Sequence, residues 1–130
     1  MIVSNYEKKI AAVIREENLK YETEVSFPDL KYKKAFLRFD FVVYINEQNS
    51  IIIEVDGEGH FQHIKHFGTE SRYKHMLEND RRKNKYCLIN KMKLYRIPYW
   101  DIDTISSFED ILRPQYKVTD IWHNDKLTSQ

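Results

Sequence analysis

Apolar and polar positions alternate in steps of two over residues 35–45, AFLRFDFVVYI, and a β-branched run follows at residues 50–56, SIIIEVD. Both read as strands, and Asn46-Glu47-Gln48-Asn49 between them reads as the turn of a hairpin. A different period opens the chain: Tyr6, Ile10, Val13 and Ile14 recur at helical spacing, which predicts an amphipathic helix over residues 5–18. Ser4-Asn5-Tyr6-Glu7 has the form of a capping box at its start, with Glu7 reaching back to the Ser4 amide. Residues 21–27 alternate weakly and end at Pro28-Asp29, which predicts a strand running into a turn; Lys31 to Lys34 is then a basic connection into the hairpin.

The helical period returns from Thr69, a plausible N-cap, to about Asn90. Tyr73, Met76, Leu77 and Cys87 define its buried stripe, and Asp80 falls on that stripe with Lys83 and Asn84 beside it. Lys93 to Ile97 alternates as a fourth strand, stopped by Pro98 and followed by Tyr99-Trp100. Ser106-Ser107-Phe108-Glu109 has the form of a second capping box, opening a short helix that Pro114 ends. Residues 115–130 show no strong period, although Ile121 and Trp122 are candidates to dock. The expected organisation is one domain over residues 1–114 and a tail or linker over residues 115–130.

Composition narrows the class. A chain of 130 residues suffices for one compact core, and 42% hydrophobic with 32% charged content reads as a soluble globular protein. No apolar run approaches a membrane span and Met1-Ile2-Val3-Ser4 does not begin a signal peptide, so a cytoplasmic location is expected. Cys87 is the only cysteine, which excludes an internal disulfide and a cysteine-built zinc cage and leaves it as a small core residue. The net charge of +1 conceals an asymmetry: residues 63–96 hold ten Lys/Arg against Glu70, Glu78 and Asp80, a local excess of seven. That segment can approach a polyanion, or it is a solvated helix face.

The hairpin carries the candidate chemistry. Alternation puts Arg38 and Asp40 on one face of its first strand and Glu54 and Asp56 on one face of its second. An ionised carboxylate between Phe39 and Phe41, or after Ile51-Ile52-Ile53, needs a partner if buried, and a cation serves; the alternative is a half-exposed hairpin whose acids face water. Gly57 and Gly59 end the second strand beside His60, the side chain that most readily exchanges protons near neutrality; the alternative is an ordinary turn with a surface histidine. His60, His63 and His66 have a spacing that suggests zinc, but a loop without cysteines argues against it.

The order of helix, acidic hairpin, basic helix and strand resembles the PD-(D/E)xK nucleases. It is most similar to the branch holding the very-short-patch mismatch-repair endonucleases and the phage-type EDxHD homing endonucleases. The residues that carry the resemblance are Tyr6 to Ile10, Arg38 to Val42, Ile53 to Gly57 with His60, Glu78 to Lys83, and Leu94 to Trp100, spanning roughly residues 6–101. The family's letters fall on Glu7, Asp40, Val55, His60 and Asp80. The resemblance implies a restriction-endonuclease-like α/β (α+β) core, a mixed β-sheet flanked by α-helices, that hydrolyses phosphodiesters of double-stranded DNA with Mg²⁺, or Mn²⁺ in its place.

In that reading Asp40 and the Val55 carbonyl bind the metal and Glu7 contacts its waters. His60 and Asp80 handle protons or position the phosphate, and Glu54 is either a second metal ligand or an acid behind the first. The general base stays open among His60, Asp80 and bulk solvent. Arg38, Arg81, Arg82, Lys83 and Lys85 are candidates to grip DNA. Two departures stand out. The superfamily expects a lysine two residues after Glu54, where this chain has Asp56, and Lys83 is the substitute that helix geometry offers; the cysteine-based zinc site of the repair enzymes cannot be built, which favours the homing-type branch. No separate DNA-reading module is visible, so a homodimer or an additional recognition domain is expected. The competing classes are a DNA-binding module on a nuclease fold that has lost catalysis, and a structure-specific nuclease.

Overall fold

The computed structural model describes residues 4–61 and 70–128. Its elements are α1 (Asn5–Glu16), β1 (Lys20–Tyr32), β2 (Ala35–Tyr44), β3 (Ser50–Asp56), α2 (Glu70–Ile89), β4 (Lys93–Pro98), α3 (Phe108–Ile111) and α4 (His123–Thr128), with short 3₁₀ turns at Glu58–His60, Tyr99–Thr104 and Pro114–Tyr116. The strands form one mixed sheet in the order β1-β2-β3-β4, antiparallel as far as β3 and parallel between β3 and β4. The fold is therefore a mixed α/β sheet flanked by helices. Among the described residues no helix is long and apolar enough to cross a membrane.

The two faces of the sheet bury different side chains. Ile10, Ala11, Val13 and Ile14 of α1 pack with Phe41, Val43, Ile51, Ile53, Val55 and Ile97, and the segment from Ile102 to Tyr116 completes that core. On the opposite face Leu30, Leu37, Phe39, Val42, Ile52 and Leu94 meet Cys87 of α2 and Val118. Leu37 and Phe39 belong to the α2 side while Phe41 and Val43 belong to the α1 side, so the strand alternation slips by one step at Asp40.

Two boundaries and one buried stripe differ from the sequence reading. β1 does not stop at Pro28 but continues to Tyr32, because it is an edge strand where a missing N–H is tolerated, and its pairing with β2 shifts register between Ser26 and Lys31. The second capping box lies one residue later than expected, with Ser107 and Asp110 as its members. The stripe of α2 is polar where it is deepest: Asp80, Asn84 and Cys87 are buried, whereas Tyr73, Met76 and Leu77 are half-buried. The expected N-cap Thr69, and His63, Lys65 and His66, lie outside the described residues.

The segment after Pro114, read from the sequence as a tail or linker, packs against the sheet over its described part. Tyr116 and Val118 are buried, the Val118 N–H donates to the Leu94 carbonyl at 2.9 Å, and Asn124 of α4 donates to Asp56 at 2.9 Å. A chain truncated after Pro114 is thus expected to lose about 3–5 kcal/mol or more of stability. Urea unfolding followed by circular dichroism checks this; a truncated chain with an unchanged midpoint would show that the segment is dispensable.

Candidate active site

Pairing between β2 and β3 runs from Tyr44↔Ser50 to Phe41↔Ile53 and goes no further, so the sheet opens at Asp40 and Glu54. Each side chain takes over a backbone partner that the ladder no longer supplies. The Asp40 N–H donates to Glu54 Oε1 at 3.3 Å, and the Val55 N–H donates to Asp40 Oδ2 at 2.7 Å. Val55, whose carbonyl was expected at a metal, thus meets Asp40 through its amide. Glu54 is 2% exposed, and Lys83 of α2 reaches it with Nζ at 3.2 Å from Oε1.

Asp40 also faces α1. A carboxylate oxygen from each of Glu7, Glu24 and Asp40 lies within 4.8 Å of the other two. Glu7 owes its place to the helix start, where Ser4 Oγ accepts the Glu7 N–H at 3.1 Å. Glu24, which sequence reasoning missed, sits between the Thr23↔Phe41 and Val25↔Phe39 pairs and so opposite Asp40. Its φ of 53° is left-handed within a strand, a strain of about 1–2 kcal/mol for a residue with a side chain. Only the β1–β2 register brings it here, and no local pattern in the sequence marks it.

This cluster is short of positive charge. Lys83, the cation that opposes the rise of Asp40, is already engaged by Glu54, while Lys8 and Arg15 line a hollow with Glu7 and Glu24. Burial, then Glu54 and Glu7, push the Asp40 carboxyl up to about 9 against the opposing Val55 N–H and Lys83. Burial, followed by Glu24, raises Glu7 as well. Burial would lower Lys83, yet Glu54 and the other acids around it override that and raise it.

The second half of the site is charge-balanced. His60 Nδ1 lies 2.8 Å from Asp80 Oδ2 and 3.6 Å from Asp56 Oδ1. Beneath it Arg96, with no exposed surface, donates from Nε to Asn84 Oδ1 at 2.7 Å and from one terminal nitrogen to Asp56 at 2.9 and 3.2 Å. Its other terminal nitrogen donates to the Asp80 carbonyl at 3.3 Å. Burial would lower His60, but Asp56 and Asp80 reverse this and push it up to about 9. Burial opposes ionisation of Asp56 too, and Arg96 and His60 hold it below its ordinary value nonetheless. Asp56, two residues after Glu54, is therefore an acid that anchors a buried arginine.

Lys83 joins the two halves. It lines an open groove of about 650 Å³ with His60, Asp80, Arg38, Arg72 and His75. Glu7, Asp40, Glu54, His60 and Asp80 therefore gather in two adjoining clusters. The cations expected to grip DNA divide: Arg38 is exposed at the groove and Lys85 is exposed, whereas Arg81 is paired with Asp125 at 2.8 and 3.0 Å. Arg82 donates to Asn79 at 2.7 Å and lies 3.8 Å over the Tyr32 ring. No family model, curated protein or solved structure matches this chain, so the meaning of the site rests on its own residues.

Three outcomes follow from the two charge states. Replacing Arg96 by Met strands Asp56 and Asp80 in the interior and should cost about 3–5 kcal/mol in denaturant unfolding; a cost near zero would show that water reaches them. His60 should titrate near pH 9 by NMR. Because its folded value is raised, its contribution to stability is complete below about 6.5 and lost as pH rises through about 9; a titration near 6.5 would contradict the ion-pair geometry. With its carboxyl pushed up to about 9, Asp40 must take up a proton to fold at pH 7, a cost that Asp40→Asn avoids while keeping an acceptor for the Val55 N–H, so without divalent metal the variant should be the more stable protein at pH 7. A lower melting temperature for Asp40→Asn would contradict this.

Proposed function

We propose that this chain is a Mg²⁺-dependent endonuclease of double-stranded DNA on a restriction-endonuclease-like core. The observation that carries the reading is the opening of the sheet at Asp40 and Glu54, which gathers carboxylates short of positive charge beside a protonated histidine and a groove with cationic walls. The donor set suits the metal: Asp40, Glu7 and Glu24 offer only hard oxygen atoms, half-buried and mutually repelling, the chemistry that Mg²⁺ or Mn²⁺ satisfies. When bound there, the metal supplies Lewis-acid polarisation of the phosphate and neutralises the charge that develops on it.

The protein's own groups divide the remaining work. His60 is charged at neutral pH, so it serves as a donor to a phosphate oxygen and not as the base that activates water. Asp80, at 2.8 Å, orients the ring and keeps it charged. Lys83 brings an ammonium to Glu54, the acid beside which the superfamily places its lysine, and so answers the Asp56 departure. A homodimer, or a further domain, would add sequence recognition.

Supercoiled plasmid incubated in Mg²⁺, and separately in EDTA, tests the proposal. Nicked or linear product is expected in Mg²⁺ alone, reduced at least a hundredfold (on the order of 2.7 kcal/mol in the barrier) by Asp40→Ala or His60→Ala. Folded protein that retains DNA in a gel shift but leaves it intact in every condition would instead mark a binding module that has lost catalysis, the reading that Asp56 favours. Preference for branched over linear substrates would mark a structure-specific enzyme.

A further inference from the structure

Beyond the point where β2 parts from β3, β1 and β2 continue together as a two-stranded ribbon. Residues Ala35 to Asp40 of β2 have β1 as their neighbour and lack the β3 pairing seen from Phe41 onward, and Lys33 and Lys34 form the turn at the tip, Lys33 with a φ of 56°. Six strand residues span about 20 Å. The ribbon is not loose. Its inner side chains Leu30, Leu37 and Phe39 are buried in the α2-side core, Tyr86 of α2 donates to Asp29 at 2.7 Å, and Arg82 stacks on Tyr32 near the tip.

Its outer surface is strongly basic. Residues 31–38, KYKKAFLR, hold Lys31, Lys33, Lys34 and Arg38 and no acid, and all four cations are exposed. Among the described residues none of the four forms an ion pair with a carboxylate; Lys31 and Lys33 rest over the rings of Phe36 and Tyr32 at 4.5 and 5.4 Å. Arg81 and Arg82 of α2, by contrast, already have protein partners. A ribbon packed against α2, with cations at its tip that have no carboxylate partner among the described residues and a base that borders the groove of His60, Asp80 and Lys83, has the dimensions of an element that lies along a duplex.

The geometry points to the β1–β2 ribbon as the element that engages the substrate: Lys33 and Lys34 at its tip, with Lys31 and Arg38 along it, contact backbone phosphates of duplex DNA next to the site. This deepens the nuclease reading and rests on it for the choice of DNA as the polyanion. The contacts are to phosphate and so set position and grip, not sequence.

The test is binding of a short labelled DNA duplex to the full chain in EDTA, by fluorescence anisotropy over a range of salt concentrations, so that cleavage plays no part. Lys33→Ala/Lys34→Ala should weaken binding on the order of tenfold and reduce the slope of log K against log salt by about two, one per lost phosphate contact. Lys91→Ala/Lys93→Ala, the same charge change at the other end of the sheet, should leave both quantities near the unsubstituted values. Circular dichroism checks that each variant is folded. Equal affinity and slope for Lys33→Ala/Lys34→Ala and the parent chain, equal weakening by the two variants, or no duplex binding by the parent chain would each overturn the assignment. An RNA duplex bound as tightly and with the same dependence on these lysines would overturn DNA as the partner. Loss of binding in Lys33→Ala/Lys34→Ala alongside a parent chain that never cleaves plasmid would uphold the ribbon and defeat the nuclease reading.

Discussion

The opening of the sheet at Asp40 and Glu54 is the constraint on which the rest of this structure depends. Two central strands part there, and the backbone groups they release are paired by side chains: Glu54 takes the Asp40 N–H and Asp40 takes the Val55 N–H. A buried amide left without a partner would cost about as much as a lost hydrogen bond, so the carboxylates are held in place by the fold itself. The same opening frees β2 to continue with β1 as the basic ribbon, and it lets Lys83 of α2 reach the acids between the strands.

Around that opening the protein treats buried charge in two ways. On the α2 side the balance is closed: Arg96 and His60 face Asp56 and Asp80, and Asn84 and Asn124 supply the remaining polar contacts. Such a network is costly to break but contributes modestly when intact, and its service here is to hold His60 charged and at a fixed orientation. On the α1 side Glu7, Glu24 and Asp40 converge, and Lys83 is committed to Glu54. A left-handed Glu24 within a strand adds strain to repulsion at the same place. Proteins keep such local instability where a ligand relieves it.

The sequence made part of this legible. The β2–β3 hairpin, α1 and β4 follow from local periodicity, because each buries a regular face and side-chain period reports that directly. Asp80 on the buried stripe of α2 was readable by the same means. Glu24 and the Asp56–Arg96 pair were not, since both depend on which strand lies beside which: Glu24 through the β1–β2 register, Arg96 through the parallel pairing that sets it level with Glu54. The run of β1 past Pro28 was hidden by a residue that ends central strands but not edges. The segment after Pro114 docks through isolated anchors, Tyr116, Val118 and Asn124, which have no period to detect.

The central claim is that the acids at the opening of the sheet form a cation site. Crystals of the full chain grown with Mn²⁺ and measured at the manganese absorption edge test it most directly. The account predicts an anomalous peak bounded by Asp40 and Glu7 that disappears in Asp40→Asn crystals. A protein crystallised with excess Mn²⁺ that shows no peak at Asp40, or one indifferent to its substitution, would contradict it.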